Sequence, residues 1–220
     1  MLNKAIAQLP IPPRVHRLPV SETGYFVPWF VASIDGKPDF RVIDTPKIGR
    51  AVRENRCWIC GDVLGQRKAF VIGPMCAINR VISEPPSHRE CAVFAARACP
   101  FMSQPRMRRN EHDLPDKYVE SPGLHLARNP GAICVWITRT FKVFRPPPPH
   151  DRGVLFRLGD PTECVWFANG REATRAEVLV SIDGGYPSLL EVAKQEGAEA
   201  VADLERYRRE VMPLLPKDLI

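Results

Sequence analysis

Cys57-Trp58-Ile59-Cys60-Gly61, answered further along by Pro85-Pro86-Ser87-His88-Arg89-Glu90-Cys91, is the pair of stretches that sets the fold of this chain. A Cys-x2-Cys spacing lets one tight turn aim two sulfurs at a single point, and Gly61 follows where such a knuckle needs a positive φ. Pro is favoured in the first turn of a helix, where its missing N–H leaves no bond unmade. The prolines therefore predict a helix from about Pro86 to Ala98 with His88 and Cys91 on its first turn. Residues three apart on a helix share a face, and the positive helix N-terminus favours a thiolate there. Two close pairs of soft ligands that can converge tetrahedrally are what a structural Zn2+ site requires. Cys57, Cys60, His88 and Cys91 are the expected metal ligands.

Cys76, in Gly73-Pro74-Met75-Cys76, lies between the two pairs and competes with His88 for the fourth position, which would leave His88 to orient the ligands. Cys99 falls two helical turns beyond Cys91, too far along the axis to reach the same ion. A knuckle hairpin, a loop and then a helix carrying the second ligand pair resembles the treble-clef zinc finger over about residues 55–99. That resemblance implies a local fold and no single activity, because treble clefs occur in nucleic-acid binders, protein-binding modules and nucleases.

The seven cysteines, an odd number with five of them between positions 57 and 99, suit a reduced metal protein better than a secreted disulfide framework. No apolar run approaches the roughly 20 residues that cross a bilayer, and Pro10 breaks the opening segment too early for a signal peptide. The expectation is a cytoplasmic protein without a membrane partner. The formal charge of +6 is unevenly spread: residues 1–150 hold 22 Lys and Arg against 12 Asp and Glu, whereas residues 151–220 hold 9 against 13. Arg97, Arg106, Arg108 and Arg109 follow the ligand helix and form a candidate phosphate-contacting surface for nucleic acid.

The prolines between 10 and 19 predict an extended arm that holds no long helix, with His16 at the surface. The aromatic and β-branched residues 25–34 and 40–43 around Asp35-Gly36 predict a hairpin. Trp29 and Phe30 in it can either pack or offer a base-stacking platform. A short helix is expected over about residues 46–55, capped by Thr45, and residues 68–73 read as the second strand of the finger hairpin. Residues 100–131 read as a long loop holding Glu111-His112-Asp113. Residues 133–145 read as one strand whose second half displays Arg139, Lys142 and Arg145, and residues 146–149 as a stiff proline connector. Residues 154–158 and 164–168 around Gly159-Asp160-Pro161-Thr162 predict a second hairpin closed by Asn169-Gly170. Thr174-Arg175-Ala176-Glu177 is a capping box for a helix ending at Gly184-Gly185; a second helix follows from Ser188 and a third from Ala198.

The phosphate loop, the dinucleotide fingerprint, the nucleophile elbow and the metalloprotease His-Glu-x-x-His are all absent from the sequence. The reading is an α+β protein: an antiparallel sheet, an embedded treble-clef-like zinc finger and a helical C-terminal region. A basic β-rich part, residues 1–150, and a hairpin-plus-helices part, residues 151–220, are expected to pack as one globular unit. The expected function is non-enzymatic binding to nucleic acid or a nucleoprotein complex. The alternatives are a metal-dependent nuclease or hydrolase using His112 or His125, and a protein–protein interaction module.

Overall fold

The computed structural model describes residues 1–105, 107, 108, 110, 112, 114, 129–146 and 153–217. In chain order the elements are α1 Lys4–Ala7, α2 Pro13–His16, β1 Val31–Ile34, β2 Lys37–Ile43, α3 Thr45–Arg53, β3 Lys68–Ile72, α4 Pro74–Asn79, β4 Val81–Ile82, α5 Arg89–Ala98, α6 Pro100–Ser103, β5 Ile133–Thr138, β6 Phe141–Phe144, β7 Leu155–Leu158, β8 Pro161–Ala168, β9 Arg171–Glu172, α7 Arg175–Glu196 and α8 Ala198–Val211. All described strand pairs are antiparallel, and with the helices they make the mixed α+β content expected.

Strand β5 is the centre of the molecule. It lies between β3 and β8 in a four-stranded sheet of order β3-β5-β8-β9, and all six of its residues are buried. Successive side chains on a strand point to opposite faces, so β5 feeds two cores. Ile133, Val135 and Ile137 join Ala69 and Phe167 beneath Ala92 and Ala96 of α5, whose small side chains let the helix lie close to the sheet. Cys134 and Trp136 face the other way, with Phe70, Ile72 and Trp166, against α4, α7 and α8. Both indoles find acceptors: Trp136 Nε1 donates to the Gly159 carbonyl at 3.0 Å and Trp166 Nε1 to that of Leu214 at 2.9 Å.

A second sheet, order β4-β7-β6, continues from the first at a corner. Residues 133–145, expected as one strand, divide there into β5 and β6, and residues 154–168, expected as a hairpin, divide into β7 and β8. β7 pairs with β6 and β8 with β5, so β7 and β8 do not pair with each other. Both chains turn at the same level. Thr138 Oγ1 donates to the carbonyl of Asp160 at 2.8 Å, and Gly159 N–H donates to that of Thr140 at 3.0 Å. A Cβ on Gly159 would collide with Thr140, which is why the corner holds a glycine. Strands that switch sheets at a bend are the usual way to build such a corner.

Other expectations are also corrected. The strand at residues 68–72 pairs with β5 rather than with the knuckle. The ligand helix starts at Arg89, not near Pro86, because Ser87 is held in a backbone bridge to Ala69 and His88 becomes the N-cap. Likewise α3 begins at Thr45 with Asp44 as its N-cap. Of residues 100–131, residues 100–103 form helix α6. Its last carbonyls, those of Phe101 and Met102, accept from Asn129 Nδ2 at 2.8 and 3.0 Å. The prolines of the N-terminal arm do not keep it extended: Pro13 opens α2, and Ile6 and Val15 are each 1% exposed. Residues 147–149 of the proline connector lie outside the described residues.

Helix α7 runs through Gly184, Gly185 and Pro187 without a break. Gly185 serves close packing, since a Cβ there would sit 3.0 Å from Met75 Cγ on α4. The expected hairpin turns are present as expected, with positive φ at Asp35 and Gly36 and at Asn169 and Gly170. The capping box of α7 also forms: Thr174 Oγ1 accepts from Glu177 N–H at 3.3 Å and Glu177 Oε2 accepts from Thr174 N–H at 2.9 Å.

One residue that sequence patterns gave no reason to single out ties the second sheet to α8. Arg80, left-handed at φ 61°, stacks its guanidinium 4.8 Å from the Trp136 ring centroid and bonds Asp160 and Glu210, each at 3.0 Å.

The hydrogen bond from Arg171, followed by those of the Thr174 cap, lowers the Glu177 carboxyl to about 2. Its stabilisation is therefore present above the ordinary carboxylate range and is lost as pH falls from about 4.5 toward about 2. Replacing Thr174 by Ala is expected to cost about 1 kcal/mol of stability in urea unfolding at neutral pH. Glu177→Gln should reduce the acid-dependent part of the loss.

Candidate metal centre

The knuckle is shaped by its own backbone. Cys57 N–H donates to the Asp62 carbonyl at 2.7 Å and Gly61 N–H to that of Cys57 at 2.9 Å, closing a tight turn with Gly61 at φ 78°. A side chain at Gly61 would be strained in φ and would also meet the Trp29 ring, 2.8 Å from its Cγ. The bridge between Arg56 and Val63 zips the base of the turn. Trp58 N–H donates to the Pro86 carbonyl at 3.0 Å, which draws the segment before α5 against the knuckle. His88 then arrives at the N-cap and Cys91 in the first turn.

The ligand atoms of Cys57, Cys60, His88 and Cys91 lie within 4.8 Å of one another. A tetrahedral shell at about 2.3 Å from an ion puts its ligand atoms roughly 4 Å apart, so the four side chains are positioned to bind a metal ion. Cys57 and Cys91 are fully buried. Sγ of Cys57 accepts N–H bonds from Cys60 at 3.4 Å and His88 at 3.3 Å, and Cys60 Sγ lies 3.4 Å from His88 Nδ1. His88 Nε2 is 3.1 Å from the Val63 carbonyl. Donation of Nε2–H to that carbonyl fixes the ring and leaves the Nδ1 lone pair for an ion.

The protonation pattern follows from this crowding. Burial works against the Cys57 thiolate, yet hydrogen bonds from Cys60, Cys91 and His88 lower its pKa well below the usual range. The bond to Cys57 in turn pushes Cys60 up to about 11, raises Cys91, and raises His88. Without an ion, then, the thiolate is favoured at Cys57 and the protonated forms at its three neighbours. A dication would draw those protons off the thiols.

A second layer surrounds the ligands. Arg14 and Arg17 of the N-terminal arm bond Asp62, and Arg14 Nε lies 3.3 Å from Glu90 Oε1. Beneath them Ile6, Val15, Phe26, Ile59, Leu64, Phe94 and Ala98 pack with Cys57 and Cys91 into a core separate from the two around the sheet. Nothing in the sequence marks this arm as part of the centre, because its partners are far along the chain. Phe30 stacks on Trp58 at 5.0 Å with the rings 10° apart, and Trp29 meets Trp58 edge-on at 6.3 Å. Trp29 and Phe30 thus pack against the knuckle.

Cys76 is outside the cluster; it packs against the main core from α4, and burial pushes its thiol up to about 11. Cys99 caps the end of α5. Arg97 is half-buried and its Nε donates to the Gly170 carbonyl at 3.3 Å, while Arg108 is exposed. Arg106 and Arg109 lie outside the described residues, as do Glu111, Asp113 and His125. His112 is exposed, and its carbonyl accepts from Arg41 Nη1 at 2.6 Å. No helix among the described residues is long and apolar enough to cross a membrane. Comparison of the chain with protein-family models, with curated proteins and with solved structures gives no match.

Two outcomes are expected here. Cys57→Ser or Cys91→Ser should abolish stoichiometric metal content and leave the chain unfolded or insoluble, as read by elemental analysis and circular dichroism. Normal metal content and melting in both would refute the assignment. Gly61→Ala should lower the melting temperature and weaken metal retention in a chelator competition. In the unsubstituted protein that retention should fall as pH is lowered, because uptake releases protons.

Proposed function

We propose that the chain is a zinc-stabilised, non-enzymatic protein that contains a treble-clef-like finger and binds nucleic acid or a nucleoprotein complex. The observation that carries this reading is the Cys3His set of Cys57, Cys60, His88 and Cys91 within one 4.8 Å neighbourhood, with Cys57 and Cys91 buried. Three thiolates and an imidazole are the donors of structural zinc, and softer donors select it over magnesium or calcium. Four protein ligands complete a tetrahedron, so the ion serves folding and keeps no position for water or substrate. Structural zinc of this kind contributes about 10–16 kcal/mol of apparent binding free energy to folding. The knuckle followed by a helix whose N-cap and first turn hold the second pair supports the treble-clef comparison.

Nucleic acid as the partner is supported by charge. The excess of Lys and Arg over Asp and Glu falls in residues 1–150, which also hold all four ligands. A cationic surface neutralises phosphates and releases counterions, which makes binding steeply salt-dependent.

Protein purified without added metal is expected to carry one zinc per chain. Its affinity for mixed nucleic acid should drop about tenfold or more between 50 and 200 mM salt. One zinc with no binding at the lower salt would point to a protein partner, and a second metal would point to the nuclease alternative.

A further inference from the structure

The outer face of the β4-β7-β6 sheet has the composition of a polyanion-binding surface. On β6 and β7 the register sets Lys142 opposite Arg157 and Phe144 opposite Leu155. Directly opposed residues share a face, so these four project together. The other face carries Phe141, Phe156 and Leu158, which pack into the main core. Lys142 and Arg157 are exposed, and the Arg157 guanidinium lies 5.3 Å from the Phe144 ring centroid. Arg139 and Arg145, both exposed, bracket β6 at its two ends.

Three observations distinguish this face from an ordinary solvated surface. None of the residues of β4, β6 and β7 is acidic. Among the described residues, Arg139, Lys142, Arg145 and Arg157 have no ion-pair partner, whereas Arg80 around the corner takes both Asp160 and Glu210. In addition, β6 is the edge of its sheet, so nothing in the described fold pairs with its outer side. Four unneutralised cations, three in residues 139–145 and Arg157 beside them on β7, repel one another and attract a chain of negative charges. At about 3.3 Å per residue the four residues of β6 span roughly 10 Å, and Arg139 and Arg145 add positive charge beyond its two ends, enough to follow successive phosphates. A half-exposed aromatic ring in the middle of that track is what an unpaired base stacks on, and an arginine already on the ring can cover the base from the other side.

We infer that this face, with Lys142, Arg157 and Phe144 at its centre, binds single-stranded nucleic acid along β6. The inference rests on the nucleic-acid reading and names its surface, in place of the arginines after α5. A flat sheet face suits splayed single strands, because duplex recognition relies on an element that enters a groove.

Fluorescence anisotropy with labelled oligothymidylate and oligouridylate of about twenty nucleotides tests it, with a duplex of equal length alongside. The unsubstituted protein should bind the single strands more tightly than the duplex. Lys142→Glu with Arg157→Glu should weaken that binding tenfold or more, while Lys194→Glu with Arg209→Glu on α7 and α8, the same change in charge, should leave it within twofold. The milder Lys142→Gln with Arg157→Gln, checked for an unchanged melting temperature, should flatten the salt dependence by about two phosphate contacts. Phe144→Ala should weaken binding without altering that slope. Binding that is equal in the charge-reversed and unsubstituted proteins overturns this surface and leaves the nucleic-acid reading standing. Tighter binding of the duplex overturns the single-strand assignment. Absence of binding to any of the three removes the reading on which the surface rests.

Discussion

Convergence of Cys57, Cys60, His88 and Cys91 is the constraint on which the remainder of the structure leans. An ion held by these four would cross-link two points of the chain and close a loop that contains β3, α4 and β4. Those three elements do not belong to the core around the knuckle. They supply Phe70, Ile72, Ala77, Ile78 and the half-buried Ile82 to the core beneath α7 and α8. Closing the loop therefore removes conformational freedom from segments that must find β5 and α7. Helix α5 extends the linkage, since Cys91, Phe94 and Ala98 face the metal side while Ala92 and Ala96 lie on the sheet.

Electrostatics at the centre work in the same direction. Two backbone N–H groups point at Cys57 Sγ, the start of α5 faces the cluster, and Arg14 stands nearby between Asp62 and Glu90. A Cys3His site bearing a dication has a net charge of about −1, and these groups offset it without a buried counter-ion of their own. The fold thereby places a charged site inside apolar packing with donors aimed at its buried sulfur.

The ligand set was legible because metal chemistry imposes short spacings, and short spacings are visible in a sequence. Turns at Asp35-Gly36 and Asn169-Gly170 and the capping box at Thr174 were legible for the same reason, each being fixed within four residues. What escaped was decided by contacts far along the chain. Gly184-Gly185 reads as a helix stop, yet Gly185 is there to admit Met75. Gly159-Asp160 reads as a hairpin turn, yet it is a corner shared with Thr138 and Thr140. The prolines of the N-terminal arm predict an exposed extension, and only the presence of Phe26, Ile59 and Phe94 gives Ile6 and Val15 something to bury against. Arg80 was invisible because a single arginine carries no pattern.

The four tryptophans divide evenly between the knuckle and the core beneath α7 and α8. Trp29 and Trp58 pack on each other at the knuckle, with Trp29 against Gly61, whereas Trp136 and Trp166 lie in the core beneath α7 and α8. Indole emission is consequently a built-in optical readout with two channels. With one pair changed to phenylalanine, the remaining pair reports a single region, so the assembly of the knuckle and of the sheet can be timed separately in one chain without any attached dye.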